Sequence, residues 1–289
     1  MSLVNKSVWL IGTSQMAVDY FKVLKDLDVN VEVVGRSANT AETFKANTGI
    51  TPFVGGIENF IKHGQKLPDS VIVAVGIEEM KNVAVILLRA GIKRILLEKP
   101  GGVNIEEISS IAQLAVEKMS HVVVGYNRRF FSSVIQAKAM IEEDGGLKSF
   151  NFDFTEWSHI IKDTNSKNII KNNWFLCNST HVIDLAYYIG GHPISLAPFT
   201  AGTSNWHEPM IFSGAGISSK DALFSYSANW SAPGRWSLEF LTEKRKYIFR
   251  PLEKLQIQEI GSLSTEFVTL DDELDLRYKP GLYRQTVAF

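Results

Sequence analysis

The sequence predicts an α/β protein in two parts: a doubly wound parallel sheet, then an α+β domain on a mostly antiparallel sheet. Three observations predict it. Up to about residue 125, short apolar runs alternate with amphipathic stretches of helical length, the pattern of a parallel sheet crossed by helices. Several of those runs are almost wholly apolar, as in Ser70-Val71-Ile72-Val73-Ala74-Val75, which suits strands covered on both faces. Beyond Gly146 strand-like runs follow one another with few helices between them. The division is placed between 125 and 126, giving domains 1–125 and 126–289.

Composition narrows the function. The chain has 289 residues, enough for one large domain or two ordinary ones. Hydrophobic residues at 45% and charged residues at 21% fit a soluble globular protein. A net charge of -1 gives no global field to draw in nucleic acid. The charged run Glu243-Lys244-Arg245-Lys246 reads as a solvated turn. The single cysteine, Cys177, excludes an intrachain disulfide and fits a reducing compartment. No apolar run approaches the roughly 18 residues of a membrane span. Met1 to Lys6 lacks the apolar core of a signal peptide, so the expected location is the cytoplasm.

The first strand is Ser7 to Ile11. It breaks at Gly12-Thr13-Ser14-Gln15, and an amphipathic helix follows from Met16 to Leu27. Val29 to Val34 is the second strand. This βαβ unit has the size of a dinucleotide site. Its turn reads Gly12-x-Ser14-x-x-Ala17, against the pattern G-x-G-x-x-G/A. Ser14 takes up room that glycine leaves open, yet its hydroxyl can bond a phosphate oxygen. Ala17 is small enough for helix–strand packing. Helix amides would face the phosphate. Taken alone, the turn is equally a plain βα connection.

An NAD site usually carries an acid at the end of the second strand, for the ribose 2′-hydroxyl. Here the chain reads Gly35-Arg36-Ser37. A guanidinium suits bidentate phosphate binding, so NADP is the preferred cofactor, with NAD as the other choice. An ordinary solvated arginine is the competing reading. Helices follow at 41–46, 57–63, 80–90 and 105–118, with strands at 52–54, 70–75, 95–97 and 121–124.

The run Arg94-Ile95-Leu96-Leu97 ends in Glu98-Lys99-Pro100-Gly101-Gly102. Proline cannot join a ladder and biases Lys99 away from helix. Glu98 and Lys99 therefore sit at the carboxyl end of the fifth of six strands, where open α/β sheets bind ligands. A surface Lys-Pro turn is the plainer reading. The sixth strand ends in Gly125-Tyr126-Asn127-Arg128-Arg129-Phe130, whose amide, phenol and guanidiniums suit a hydroxyl-rich or anionic substrate. A basic start to the next helix would also explain Arg129.

In the second part, Leu147 to Trp157 alternates, with Phe150, Phe152, Phe154 and Glu156 on one side. Further strands are read at 221–230, 236–241, 245–250, 255–259 and 266–270. Between them Asn178-Ser179 caps a helix from His181 to Ile189, closed by Gly190-Gly191. His181 and Asp184 share a face. A first-turn histidine near positive dipole charge stays neutral, as a general base requires. A structural His–Asp contact would use the same spacing. No His/Cys/Asp cluster has metal-ligand spacing.

Four stretches now stand together: the Gly12 turn, Glu98-Lys99-Pro100, Gly125 to Phe130, and His181-Val182-Ile183-Asp184-Leu185. With the tail Lys279 to Gln285, the chain resembles the glucose–fructose oxidoreductase / inositol dehydrogenase / MocA family. That resemblance implies an N-terminal Rossmann domain and a C-terminal domain with a large open sheet. It implies hydride transfer between a nicotinamide and a carbon bearing a hydroxyl or carbonyl, often on a sugar or inositol. By position, it assigns cofactor contacts to Gly12, Thr13, Ser14, Gln15, Met16, Arg36, Ser37, Val75, Glu98 and Lys99. Lys99 would also touch the reacting oxygen, and His181 would move the proton. Asp184 would hold a substrate hydroxyl or orient His181, while Tyr126, Asn127 and Arg128 would line the substrate pocket.

The chain departs from the family in two places. Cys177 stands where many members carry an Asp, and the chain stops at Phe289 where the family commonly continues into another helix. The expected protein is an NADP-preferring dehydrogenase or reductase of a sugar-like small molecule, a homodimer or homotetramer by analogy. A nucleotide-sensing protein without turnover, and a biliverdin-reductase-like reductase of a non-sugar carbonyl or imine, are the other readings.

Overall fold

The structure is a computed structural model that describes residues 6–289. Met1 to Asn5, part of the stretch read above as lacking a leader, lies outside the described residues. The chain forms two compact units. One holds the chain up to Tyr126 together with Arg277–Phe289, and the other holds Asn127–Leu276. The sequence reading had put the whole tail with the second domain.

The first unit runs β1 (Ser7–Ile11), α1 (Gln15–Asp26), β2 (Asn30–Gly35), α2 (Ala38–Thr48), β3 (Phe53–Val54) and α3 (Gly56–Lys62). It continues with β4 (Ser70–Val73), α4 (Ile77–Arg89), β5 (Arg94–Glu98), α5 (Ile105–Glu117) and β6 (His121–Gly125). The strands pair in parallel in the order β3-β2-β1-β4-β5-β6. Side chains alternate between two separate cores, as a pleated strand requires. Trp9, Ile11, Val71, Val73 and Leu97 pack with α3, α4 and α5. Val8, Leu10, Ile72 and Leu96 pack with α1 and α2. Both faces are covered, which is why these strands read as continuous apolar runs. Helix ends follow local chemistry. The Asn104 side chain accepts from the Glu107 amide at 2.9 Å, and Glu107 in turn accepts from the Val103 amide at 3.0 Å.

The second unit opens with a 3-10 turn, Asn127–Phe130, and α6 (Ser132–Glu143). Then come β7 (Ser149–Asp153), α7 (Ser158–Ile161), α8 (Asn168–Asn172), a π-helical turn at Phe175–Ser179, and α9 (Thr180–Gly190). β8 (Pro193–Ala201), β9 (Ile211–Ser218), β10 (Leu223–Asn229), β11 (Ser237–Leu241), β12 (Arg245–Phe249), β13 (Gln256–Glu259), β14 (Glu266–Phe267) and all but the last residue of α10 (Glu273–Arg277) complete it. The sheet has eight strands in the order β14-β13-β12-β11-β7-β10-β9-β8. Every neighbouring pair is antiparallel except β7 with β10.

One face of this sheet is an aromatic core in which Phe150, Phe152, Phe224, Phe240 and Phe249 pack with Val182, Leu185 and Ile189 of α9. Contact is tight enough that a Cβ on Gly190 would overlap the Phe150 ring. The alternation expected from Phe150 holds through Phe154 to Glu156, all buried. Two strands, β8 and β9, were not read from the sequence. β8 carries Pro193 and Pro198, residues that argue against a central strand. It lies at the sheet edge, where a missing amide costs little. The run 243–246 is not simply solvated: the Arg245 guanidinium is held by the buried Asp144 carboxylate.

The tail ends in α11 (Leu282–Ala288), so the Tyr283-Arg284-Gln285 segment is itself helical. Leu282 is buried in the α1 core, and the Arg94 guanidinium donates to the Phe289 carbonyl. Among the described residues no helix is long and apolar enough to cross a membrane.

Candidate functional site

In the first unit the strand order reverses between β1 and β4. A crevice therefore opens beyond their carboxyl ends, where ligands bind in such sheets. It measures about 380 Å³. Gly12 joins its walls. Its amide donates to the Val34 carbonyl at 2.9 Å. Its φ is +123°, and a Cβ would overlap the Ala74 carbonyl oxygen, so only glycine fits. Thr13 is buried and its hydroxyl donates to Thr40 Oγ1 at 2.7 Å. Ser14 stands at the N-cap of α1 without capping it. Its hydroxyl donates to the Ala74 carbonyl at 3.1 Å, which leaves the first-turn amides for a ligand.

Of the ten residues expected at the cofactor, Gly12, Thr13, Ser14, Arg36, Ser37 and Val75 line this crevice. Gln15 and Met16 do not. Gln15 donates to Asp19 at 3.0 Å, and the Met16 sulfur receives Lys279 Nζ at 3.0 Å. Their place in the first turn of α1 turns both side chains to other partners. Ser37 doubles as the N-cap of α2. Arg36 forms an ion pair with Glu79 at 2.6 Å. Sequence reasoning missed Thr40, Glu79 and Asn82, and also Gly55-Gly56, which repeats the strand–glycine–helix signal after β3. A nucleotide fits these residues. The crevice offers an uncapped helix start, glycine turns at Gly12, Gly55 and Gly76, and a guanidinium at its rim.

Glu98 and Lys99 lie at the end of β5, outside the crevice lining. Glu98 is built into the fold. It accepts from the Tyr20 hydroxyl at 2.6 Å, and Gln285 donates to that hydroxyl at 2.8 Å. Burial pushes the Glu98 carboxyl up, against the Tyr20 hydrogen bond and the charges of Lys279 and Lys99. Burial and the neighbouring carboxylate push the Tyr20 phenol well up. Lys99 thus follows an anchored carboxylate, in the turn that ends β5.

In the second unit, Asn127 is buried in the 3-10 turn that follows Tyr126 at the end of β6. Arg129 binds both oxygens of Asp184, with Nε to Oδ2 at 2.8 Å. Burial pushes the Asp184 carboxyl up, and the Arg129 contact pulls the other way. The carboxylate expected to hold a substrate hydroxyl or to orient His181 is therefore engaged by a guanidinium. His181 is buried, its ring 6.1 Å from that of Trp236.

The capping expectation fails at α9. The helical path enters through the π turn from Trp174, so Ser179 is itself helical and caps nothing. A free helix start therefore does not lie under His181. The side chains of Asn178 and Ser179 donate instead to the buried Glu156, at 2.9 and 2.8 Å. Arg235 Nη1 meets the same carboxylate at 3.2 Å. Burial pushes Glu156 up against these bonds. Cys177 is buried within the π turn. Among the described residues no group of three His, Cys, Asp or Glu could hold a metal.

Residues 6–126 match the family model GFO_IDH_MocA, described as an oxidoreductase family with an NAD-binding Rossmann fold. No curated protein matches the chain. Among solved structures, levoglucosan dehydrogenase in complex with NADH and L-sorbose is 18% identical, with a TM-score of 0.76 over 97% of this chain and 83% of that one. A Clostridium difficile dehydrogenase (MviM) is 17% identical, with a TM-score of 0.76 over 98% and 89%. An Agrobacterium radiobacter oxidoreductase in complex with NAD+, L-tartaric acid and magnesium is 13% identical, with a TM-score of 0.75 over 99% and 86%. At such identities the likeness speaks for the fold.

Proposed function

Because residues 6–126 match the family model of Gfo/Idh/MocA oxidoreductases with an NAD-binding Rossmann fold, we propose that this protein is an NAD(P)-dependent dehydrogenase or reductase of a sugar, polyol or sugar-derived substrate. The observation that carries the reading is the crevice at the β1/β4 reversal, with Gly12, Thr13 and Ser14 on one wall and Arg36 and Ser37 on another. A sugar-like substrate is supported by the L-sorbose and L-tartaric acid held by two proteins of the same fold.

A bound nicotinamide would supply the hydride acceptor or donor. The chain supplies the rest. Gly12, Ser14 and the α1 amides hold the phosphates, while Arg36 and Ser37 take the 2′-phosphate of NADP, the preferred form. Lys99 Nζ polarises the reacting oxygen, and His181 carries the proton to or from it. Asn127, Arg128 and Tyr126 orient the substrate. Arg129 and Asp184 brace that wall as a pair. We assign the protein to the cytoplasm.

The assembly proposed is a homodimer or homotetramer. One face of the eight-stranded sheet exposes Phe199, Ile217 and Leu223 beside the small residues Ala197, Ala215 and Ser225. Exposed apolar patches of this kind mark contact surfaces.

The test is nicotinamide absorbance with a panel of keto-sugars and polyols. General acid–base help is worth about 10²–10⁴-fold, so Lys99→Ala and His181→Ala should each lower turnover by about that factor while NADPH still binds. Turnover near the parent's in both variants would refute these roles. NADPH binding with no turnover on any substrate would favour a nucleotide sensor.

A further inference from the structure

Trp236, at the start of β11, is shared by two guanidiniums. Arg128 lies 4.9 Å from its ring centre and Arg235 lies 4.2 Å from it. Arg235 also stacks on Trp157 at 4.8 Å. His181 approaches the same indole. Like charges are not gathered without a reason, because each raises the cost of the other. Burial pulls Arg128 down to about 10, and the Arg235 charge acts in the same direction.

The available carboxylates do not settle the imbalance. Glu156 meets Arg235 and attracts Arg128 at longer range, but is also bound by Asn178 and Ser179. Glu253 is exposed and attracts Arg128 only at longer range. Among the described residues Arg128 has no ion pair within 4.0 Å, and its buried Nε has no hydrogen-bond partner. Stacking on an indole occupies the face of a guanidinium and leaves its in-plane N–H groups for an oxyanion. Arg235, with 41% of its side chain exposed, is open to a ligand.

We propose that Arg128 and Arg235, set on Trp236 beside His181, form a carboxylate subsite, so that the substrate is a sugar acid or hydroxy acid rather than a neutral polyol. This rests on the oxidoreductase reading for its reaction but not for its binding chemistry. A carboxylate held here replaces the missing partner of Arg128 and fixes the substrate beside the proton carrier.

Isothermal titration of the NADPH-loaded protein tests it. D-Gluconate is compared with D-sorbitol, and D-glucuronate with D-glucose, each pair differing at the acidic carbon. At least one acid should bind about ten- to a hundred-fold more tightly than its neutral counterpart, the scale of charge-assisted hydrogen bonds. Arg235→Met and Arg128→Met should each remove most of that advantage and leave NADPH affinity unchanged. Arg128→Lys, which keeps charge but not the fork, should lose most of it too. If Arg128→Met fails to fold, Arg235→Met decides alone.

The proposal is overturned if no acid outcompetes its neutral partner, including the case in which none binds, or if the advantage survives in every arginine variant that folds. Turnover with NAD+ and NADP+ on the same compounds separates the two claims. Acids that bind without turnover would sink the oxidoreductase reading and leave the subsite standing. Neutral sugars oxidised with no preference for acids would do the reverse.

Discussion

At the scale of single residues, Arg36 shows how far a side chain can be read from sequence. The absence of an acid after β2 and the presence of Arg36-Ser37 were plain. Their neighbour Glu79 was not, because it comes from α4, more than forty positions later, and no local pattern links the two. The Arg36–Glu79 pair lies at the crevice rim, largely exposed, so it is worth well under 1 kcal/mol to the fold. Its effect falls on the ligand. A carboxylate beside the guanidinium repels a 2′-phosphate, so Glu79→Gln should strengthen NADP binding by about ten-fold relative to NAD, and Arg36→Ala should weaken it. Fluorescence titration with both dinucleotides reads the ratio. An unchanged ratio in both variants would remove Arg36 from the 2′-phosphate. Gly12 was legible for a sounder reason: a left-handed turn between β1 and α1 accepts almost nothing else.

At the scale of elements, periodicity predicted the parallel strands and α1 well, because each face of those elements has a single fate. Prediction weakened wherever tertiary context decided. β8 was hidden by its prolines, which an edge strand tolerates. β9 was hidden by Gly214 and Gly216, whose missing side chains make room for the Tyr226 and Phe224 rings. The start of α9 was misplaced because Asn178 and Ser179 look like caps. Their partner, Glu156, lies over twenty residues away. The open face of the eight-stranded sheet carries the assembly prediction. Ala215→Glu, on the exposed face of β9, should shift the mass seen by light scattering towards the monomer with little change in melting temperature. A monomeric parent protein would dispose of this expectation.

At the scale of the whole chain, the first unit packs on two cores, one on each face of its sheet, and the second on one. The second unit is tied by Asp144, at the end of α6, which binds Arg245 and Tyr247 of β12 and Thr242 in the turn before that strand. Burial pushes the Asp144 carboxyl up, but these hydrogen bonds and the Arg245 charge outweigh it and hold the group at about 2, below its usual 3.8. A depressed carboxylate stabilises the fold above its unfolded value and loses that contribution as pH falls towards its folded value. Asp144→Asn should therefore cost about 3 kcal/mol near neutral pH. In denaturant titrations the gap from the parent should close as pH falls from about 4 to about 2. A gap independent of pH would mean that packing, not charge, carries the loss.

The amide–phenol–carboxylate relay from Gln285 through Tyr20 to Glu98 should make the carboxyl end of β5 insensitive to bulk ions. Salt reaches the Arg36 rim more readily than a relay whose phenol and amide are buried. Raising ionic strength should therefore erode affinity for NADP and leave the rate at saturation almost flat. The protein would lose its choice of coenzyme before it lost its chemistry. A saturated rate that fell in step with affinity would show that Lys99 is held by exposed charges instead.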